Sequence, residues 1–185
     1  VSARTCQIQQ LCAELTQVGP LGAAISGRRG AGRDWWGLAG SKKGVVEESI
    51  ELIERFHLAD VMSERTAILP YGKQRLLEIA LAFACRPRVL LLDEVAGGLT
   101  EHECGTLVAL IKDVRAGGVS IVWIEHVVHA LLATVDRLGV LHGGKFIAEG
   151  DPQTVIRSPQ GAEMYRGAAA DGGAPARGTR PPRRT

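Results

Sequence analysis

Neither a strong charge of one sign nor a long apolar run occurs in this chain of 185 residues. Its 22 basic and 20 acidic side chains leave a formal charge of +2, which is too small to indicate a nucleic-acid partner or an acidic substrate. No apolar stretch approaches the roughly 20 residues that cross a bilayer, and the first residues lack the apolar core of a signal peptide. We therefore expect no nucleic acid among its partners, and a peripheral position if it serves a membrane process.

Close cysteine pairs are absent as well. The four cysteines stand singly, at Cys6, Cys12, Cys85 and Cys104. Cysteines at this spacing are not placed to bind zinc together or to perform dithiol exchange, so we expect reduced thiols with structural roles. His126 and His129 lie one helical turn apart, but no third ligand is evident, and the pattern does not favour a metal site there.

What the chain does contain is an alternation of helical and strand patterns. Apolar residues make up 45% of it, enough for the core of one domain. After Pro87 the helical spacing gives way to short apolar runs, which are typical of strands buried on both faces of a parallel sheet. The predicted elements are helices over residues 46–58, 72–84 and 103–114, and strands over residues 89–92 and 119–124. A strand, a helix and a strand in this order predict a right-handed parallel crossover and an α/β fold.

The remaining segments are less regular. Residues 19–44 are rich in glycine and basic residues and predict a loop or a weak helix. A helix over residues 127–135 and a hairpin of strands 137–141 and 145–148 are predicted next, followed by a short helix that opens at Pro152. Residues 168–185 have almost nothing apolar to bury and predict a disordered tail.

Two adjacent carboxylates end the first predicted strand. Asp93 and Glu94 follow the apolar run that begins at Val89, and α/β proteins bind ligands at the carboxyl ends of parallel strands. In such a position Asp93 could hold Mg²⁺, usually through water, and Glu94 could polarise a water that attacks a phosphoryl group. Taken alone, the pattern fits a strand that simply ends in solvated acids equally well.

A phosphate-binding loop is the motif that this chemistry needs and that these residues do not contain. Such a P-loop reads Gly-x-x-x-x-Gly-Lys-Ser/Thr between a strand and a helix, so that backbone amides wrap the phosphates. Residues 27–32 and 139–144 share its glycine spacing, but neither is followed by the required lysine and hydroxyl residue in turn. Both stretches are predicted to be ordinary loop glycines.

The motifs around Asp93 and Glu94 decide between the alternatives. The segment Leu69-Pro70-Tyr71-Gly72-Lys73-Gln74 lies one short helix upstream, and His126 follows the second strand in Ile124-Glu125-His126. In this order and spacing they resemble the signature motif, the Walker B strand and the switch histidine of the ATP-binding-cassette (ABC) ATPases. The resemblance covers Arg4 to about Gly167 and is patchy between Gly19 and Gly44. It implies a P-loop NTPase-like ABC ATPase domain, α/β, with a parallel sheet and a helical subdomain.

The resemblance also implies roles for single residues, with ATP and Mg²⁺ as cofactors. Asp93 would be a metal ligand, Glu94 the catalytic base and His126 the sensor of the γ-phosphate. Gln7, in Arg4-Thr5-Cys6-Gln7, looks like the Q-loop glutamine that touches the metal and the attacking water. A helix that begins near Gly72 would grip the γ-phosphate of a nucleotide held by a second ABC ATPase subunit, through its amides and dipole. The residues of this signature segment are Leu69, Pro70, Tyr71, Gly72, Lys73 and Gln74.

Finer features look like the ATP-binding subunits of branched-chain amino acid importers. These features are Tyr71 inside the signature, Leu77-Glu78-Ile79-Ala80 after it, and the switch segment Ile124-Glu125-His126. Trp35 and Trp36 fall in the region that touches the membrane partner in that family, and they could anchor this interface or pack in the subdomain core.

Three departures put catalytic precision in doubt. Pro70 fills the usual signature serine, Val95 replaces the proline expected after Glu94, and Thr100 stands where Asp or Asn is common. The proline removes a hydroxyl that would touch the γ-phosphate.

The implied function is coupling of ATP hydrolysis to uptake of branched-chain or related amino acids. The implied location is the cytoplasmic face of the inner membrane, with transmembrane permease subunits and a second ATPase subunit as partners. Residues 1–167 would form a partial ABC ATPase domain, with a helical subdomain over about residues 19–88, and without its N-terminal strands and P-loop. One hypothesis is an N-terminally truncated copy that is inactive alone. The alternative is a non-enzymatic half-site subunit that lends its signature motif to a partner's P-loop.

Overall fold

The computed structural model describes residues 2–4, 15–30 and 38–159. The chain divides into two compact units, of which the first ends at Glu125 and the second begins at His126. Within the described ranges, no helix combines the length and the apolar character that a bilayer crossing requires. Gln7, Trp35, Trp36 and the predicted tail lie outside the described residues, so the interpretations of these residues stay predictions.

The first unit combines a parallel sheet with helices. In chain order it contains strand β1 (Ser2–Arg4), helices α1 (Val18–Arg28), α2 (Leu38–Arg55) and α3 (Tyr71–Ala84), strand β2 (Val89–Asp93), helix α4 (Glu101–Ala116) and strand β3 (Ser120–Ile124). Two short 3₁₀ turns, Ala59–Val61 and Thr66–Ile68, lie between α2 and α3. The strands are all parallel, in the order β1-β2-β3. The predicted α/β fold with a parallel sheet is confirmed.

Several elements differ from the sequence prediction. Helix α2 begins at Leu38 instead of residue 46 and ends at Arg55 instead of residue 58. Helix α1 lies where a loop or a weak helix is predicted, because Leu21 and Ile25 are spaced one turn apart and are both fully buried. The glycines and arginines around this narrow apolar stripe conceal it in the composition. Strand β1 has only three residues, and its pairing with β2, from Ser2 opposite Val89 to Arg4 opposite Leu91, defines it.

The sheet is covered on one face. Leu90 and Leu92 are buried, and α3 packs against β1 and β2. Leu91, Val122 and Ile124 are exposed, and the register of β2 with β3 puts all three on the opposite face. The prediction that these strands are buried on both faces is therefore wrong, because no element of the described residues covers this second face.

Contacts among α2, α3 and α4 fix the position of α3. The buried ring of Phe56 lies 5.6 Å from the ring of Phe83, centroid to centroid. Arg55 stacks on Phe83, with its guanidinium carbon 4.8 Å from the ring centroid, and its Nε donates to the carboxylate of Asp113 at 2.8 Å. One arginine thus joins the end of α2 to the other two helices.

The second unit is small. It contains helix α5 (Val128–Leu132), strands β4 (Leu138–His142) and β5 (Lys145–Gly150), and helix α6 (Pro152–Arg157). The strands form the predicted antiparallel hairpin, whose turn places Gly143 at φ 55° and Gly144 at φ 77°. Positive φ at both central positions is the reason for two glycines there. Residues 139–144 therefore belong to a hairpin, as predicted, and α5 is shorter than its predicted span.

Candidate functional site

Asp93 and Glu94 lie at the carboxyl end of β2, as predicted. The amide of Glu94 donates to the carbonyl of Ile124 at 2.9 Å, so the ladder with β3 continues one residue beyond the strand. Glu94 then adopts φ 49°, a left-handed conformation that is uncommon outside glycine. Two exposed carboxylates therefore stand side by side at this edge of the sheet.

An exposed carboxylate at this edge is a suitable ligand for a magnesium ion that is also bound to phosphate oxygens. Mg²⁺ keeps several waters and commonly takes one or two carboxylates plus phosphate oxygens. Asp93 offers such an oxygen. Among the described residues, no three His, Cys, Asp or Glu side chains are grouped so that they could hold a metal ion by themselves.

Glu125 holds the loop that follows Glu94. Its carboxylate oxygen accepts a hydrogen bond from the amide of Ala96 at 2.6 Å, and Ala96 is buried. Because Glu125 directly follows β3, this bond ties the end of one strand to the loop after the other. In the sequence, Glu125 stands out only as the neighbour of His126, and no local motif assigns it a role of its own.

We expect Glu125→Ala to lower the free energy of unfolding by about 1–3 kcal/mol, because the buried amide of Ala96 loses its acceptor. Glu125→Gln keeps an oxygen acceptor and should lower it less. Urea denaturation gives the free energies, and hydrogen exchange at the Ala96 amide locates the effect. Equal exchange rates at Ala96 in the wild type and in Glu125→Ala would show that the bond does not hold the loop.

The same loop ends in a capping box at the start of α4. The hydroxyl of Thr100 accepts from the amide of Glu103 at 3.3 Å, and the carboxylate of Glu103 accepts from the Thr100 amide at 2.8 Å. These contacts satisfy two donors that a helix start otherwise leaves unpaired. Thr100 therefore replaces the more common Asp or Asn of this position with another good helix cap.

The capping box predicts a pH dependence of stability. Hydrogen bonds from the amide and hydroxyl of Thr100 hold the pKa of Glu103 below its ordinary value of 4.5. A lowered native pKa means that the stabilisation is complete above pH 4.5 and is lost as the pH falls through the native pKa. The urea midpoint of the wild type should thus exceed that of Glu103→Gln at pH 7, and the difference should shrink below pH 4.5. A constant gap between the wild type and Glu103→Gln across this pH range would contradict the assignment.

The signature segment forms the start of α3. Pro70 is the N-cap residue, and no side chain caps this helix. Proline offers no side-chain acceptor, in contrast to Thr100 at the start of α4. The first amides of α3 and the positive end of its dipole are therefore suited to an anion from outside the helix.

Two glycines allow this helix start to pack on the loop after β2. A Cβ at Gly98, whose φ is 77°, would lie 3.2 Å from the ring of Tyr71. A Cβ at Gly72 would lie 2.2 Å from a carboxylate oxygen of Glu103. The start of α3 therefore sits directly against the loop and the capping box that follow Asp93 and Glu94.

The polar side chains of the signature segment are used within the fold. Lys73 Nζ donates to the carbonyl of His57 at 2.6 Å and to Asp60 at 2.7 Å, and this bond lowers the pKa of Asp60. Gln74 Nε2 donates to the carbonyl of buried Leu69 at 2.8 Å. Backbone amides, more than these side chains, are thus the groups that the segment presents to a ligand.

The remaining predicted residues lie elsewhere. His126 directly follows Glu125, is exposed and begins the second unit, and Gln7 lies outside the described residues. The structure thus packs the signature segment on the loop and the capping box that follow the Asp93–Glu94 pair. The roles of His126 and Gln7 stay predictions.

No protein-family model matches the chain. A probable ABC transporter ATP-binding protein of Azorhizobium caulinodans is 32% identical over 127 residues, which are 69% of this chain and 45% of that protein. The high-affinity branched-chain amino acid transport ATP-binding protein BraF of Pseudomonas aeruginosa is 33% identical over 130 residues, 70% of this chain and 51% of its own length. The chain thus spans about half of these relatives. Other relatives are named as lipopolysaccharide export, ribose import and methionine import ATP-binding proteins.

The fold has close counterparts among solved structures. The ADP conformation of an ATP-binding cassette of an ABC transporter superposes with a TM-score of 0.72 at 25% identity, over 90% of this chain and 68% of that one. The fold implied by the sequence resemblance is confirmed.

Proposed function

We propose that this chain supplies part of a composite ATP site. The proposal starts from the homologues and the fold, which support the family of ABC transporter ATP-binding proteins for this chain. The chain's contribution has two parts: the start of α3, for a nucleotide held by a second subunit, and the acidic edge at Asp93 and Glu94, for its own site. The packing of Tyr71 on Gly98 and of Gly72 beside Glu103 carries the proposal, because it joins an uncapped helix start to the loop that leaves the acidic edge.

Each group has a chemical task in this proposal. The amides at the start of α3 bind the γ-phosphate of a nucleotide that a second ATPase subunit holds. The acidic edge serves the chain's own site, where Mg-ATP would supply the phosphoryl group that is transferred to water. Asp93 binds the metal, and Glu94 accepts a proton from the attacking water. By resemblance, His126 would be the switch histidine and Gln7 the Q-loop glutamine of this chemistry. The P-loop comes from outside these 185 residues.

The substrate and partners follow from the finer resemblance. We infer that the chain serves uptake of branched-chain or related amino acids, on the cytoplasmic face of the membrane, together with permease subunits and a second ATPase subunit. BraF, a branched-chain amino acid transport protein by name, is among its relatives, and the signature and switch segments look like those of such subunits.

A second candidate is a half-site subunit that does not hydrolyse ATP itself. The observation that favours it is the combination of an uncapped signature helix with the lack of a P-loop motif in the 185 residues. In this case the chain would lend only α3 to a nucleotide held by a partner subunit, and Asp93 and Glu94 would have no catalytic role.

Mg-ATP-dependent pairing tests both candidates. The 185-residue chain is mixed with full-length BraF whose Walker B glutamate is replaced by glutamine, so that ATP is held without turnover. Sedimentation should reveal a mixed dimer with Mg-ATP that is absent with Mg-ADP. Equal sedimentation with both nucleotides would refute a phosphate-gripping role for α3. ATP hydrolysis by a mixture of this chain with wild-type BraF then separates the candidates. Loss of hydrolysis when the chain carries Glu94→Gln supports a catalytic subunit, and unchanged hydrolysis supports a half-site.

Uptake measurements test the substrate class. Cells that lack a branched-chain importer cassette subunit express this chain together with an ATPase subunit that has a P-loop. Uptake of labelled leucine is compared with that of ribose and methionine in matching deficient strains. Leucine uptake alone should rise. Increased uptake of ribose or methionine, without increased uptake of leucine, would contradict the proposed substrate class.

A further inference from the structure

Three arginines converge on one carboxylate at the far end of α3 from the signature segment. Arg28 Nη2 donates to both oxygens of Glu48, at 2.8 and 2.7 Å. Arg29 Nη2 donates to one of these oxygens at 2.7 Å, and Arg86 Nη2 donates to the other at 2.9 Å. The four residues come from the end of α1, from α2 and from the segment after α3. We call them the arginine cluster.

The arginine cluster has more donors than acceptors. A carboxylate accepts about four hydrogen bonds, and the four contacts above already occupy Glu48. Arg28 Nη1 is buried and has no hydrogen-bond partner among the described residues. Within the described part of the chain, the one further acceptor that Arg29 reaches is the carbonyl of Gly44, at 3.4 Å. Additional oxygen acceptors would therefore find unused N–H groups here.

The charges of the cluster do not cancel. Three guanidinium groups and one carboxylate leave a net charge of two positive units, and among the described residues Glu48 is the one carboxylate in ion-pair contact with them. Burial raises the pKa of Glu48, but the hydrogen bonds from Arg28 and Arg29 outweigh it, so the pKa is lowered overall and the group stays ionised. A phosphate monoester carries about −1.5 to −2 charges at neutral pH, which matches this excess.

The excess charge is reachable from solvent. The side chains of Arg29 and Arg86 are 38% and 72% exposed. Those of Arg28 and Glu48 are 16% and 12% exposed, so they lie beneath the surface of the cluster. Planar guanidinium groups bind phosphate oxygens in pairs, with geometry that lysine lacks. We propose that the arginine cluster is a binding site for a phosphate group, with Arg29 and Arg86 as its ligands.

This site is separate from the proposed ATP site. Helix α3 has 14 residues, so its length places the two sites roughly 20 Å apart along the helix. A phosphate bound at the cluster would therefore not be the γ-phosphate that the start of α3 is proposed to bind. Free phosphate and the headgroup of an anionic lipid share the chemistry that the cluster recognises.

Calorimetric titration of the full chain with inorganic phosphate tests the site. Arg86→Gln and Arg29→Gln should each weaken the affinity about ten-fold, because each removes one charge and one pair of donors. Arg86→Lys, which keeps the charge without the planar fork, should fall between wild type and Arg86→Gln. Arg88→Gln, an exposed arginine outside the cluster, should bind like the wild type. Both glutamine variants change exposed side chains and should fold normally.

Vesicles distinguish the two sources of phosphate. Phosphatidylcholine vesicles with phosphatidic acid should bind the chain if a lipid headgroup is the ligand, and inorganic phosphate and Arg86→Gln should weaken that binding. Binding of inorganic phosphate without vesicle binding supports the site with free phosphate as its source. Absence of phosphate binding, or equal binding by wild type, Arg86→Gln and Arg29→Gln, would overturn the proposal. None of these outcomes depends on Mg-ATP pairing, since the variants leave the start of α3 unchanged.

Discussion

Gly72→Glu is expected to weaken Mg-ATP-dependent pairing with the BraF variant by at least about 100-fold, the scale of losing one preorganised donor to a phosphoryl or oxyanion group. A Cβ at this position would lie 2.2 Å from the Glu103 carboxylate, so the new side chain must displace Glu103 or turn toward the ligand. Either arrangement brings a second negative charge to the helix start that is proposed to bind the terminal phosphate. Sedimentation with Mg-ATP measures the effect.

Two matched changes separate this electrostatic effect from general damage. Gly105→Ala alters a glycine in α4 that has nothing within 4 Å of an added Cβ, so pairing should be unchanged. Gly72→Ala adds only a methyl group beside the movable end of Glu103, and its effect should be intermediate. Far-UV circular dichroism checks that all three variants fold. A folded Gly72→Glu chain that pairs like the wild type would exclude α3 as the phosphate-binding element.

Local patterns explain which parts of the site could be predicted from sequence. An apolar run followed by two acids marks the end of a strand, so Asp93 and Glu94 are predicted at the position that they occupy in the structure. Pro87 and the glycines Gly143 and Gly144 likewise set local boundaries through their backbone preferences. The spacing of Thr100 and Glu103 also fits a capping box, and that signal was available in the sequence.

Contacts between distant segments could not be predicted in this way. The bond from Ala96 to Glu125 joins residues 29 positions apart, and Arg86 meets Glu48 across 38 positions. Neither pair has a spacing rule, because the contact exists only once the helices and the sheet have packed. The open face of the sheet is a related case, since the apolar runs of β2 and β3 read alike whether one face or both are covered.

Adjacent leucines on β2 provide the test of that open face. Leu90→Ala should lower the free energy of unfolding by about 2–5 kcal/mol, the range for emptying a packed core site. Leu90 is fully buried, whereas Leu91 is 36% exposed on the opposite face. Leu91→Ala should therefore lower it by at most about 1.5 kcal/mol, because less apolar area is removed and no closed cavity forms. Urea denaturation gives the free energy of unfolding of both variants. Because both replace leucine by alanine, the difference between them reports only on the position.

Equal effects of the two substitutions would mean that the open face is covered in solution. Sedimentation of the wild-type chain alone then decides whether a second copy is the cover, since self-association makes the loss at Leu91 depend on protein concentration. Leu91 and Asp93 lie on the same face of β2, so any such cover would also lie beside the proposed metal ligand. A small effect at Leu91, independent of concentration, would mean that this face and Asp93 are open in solution, as the proposed metal site requires.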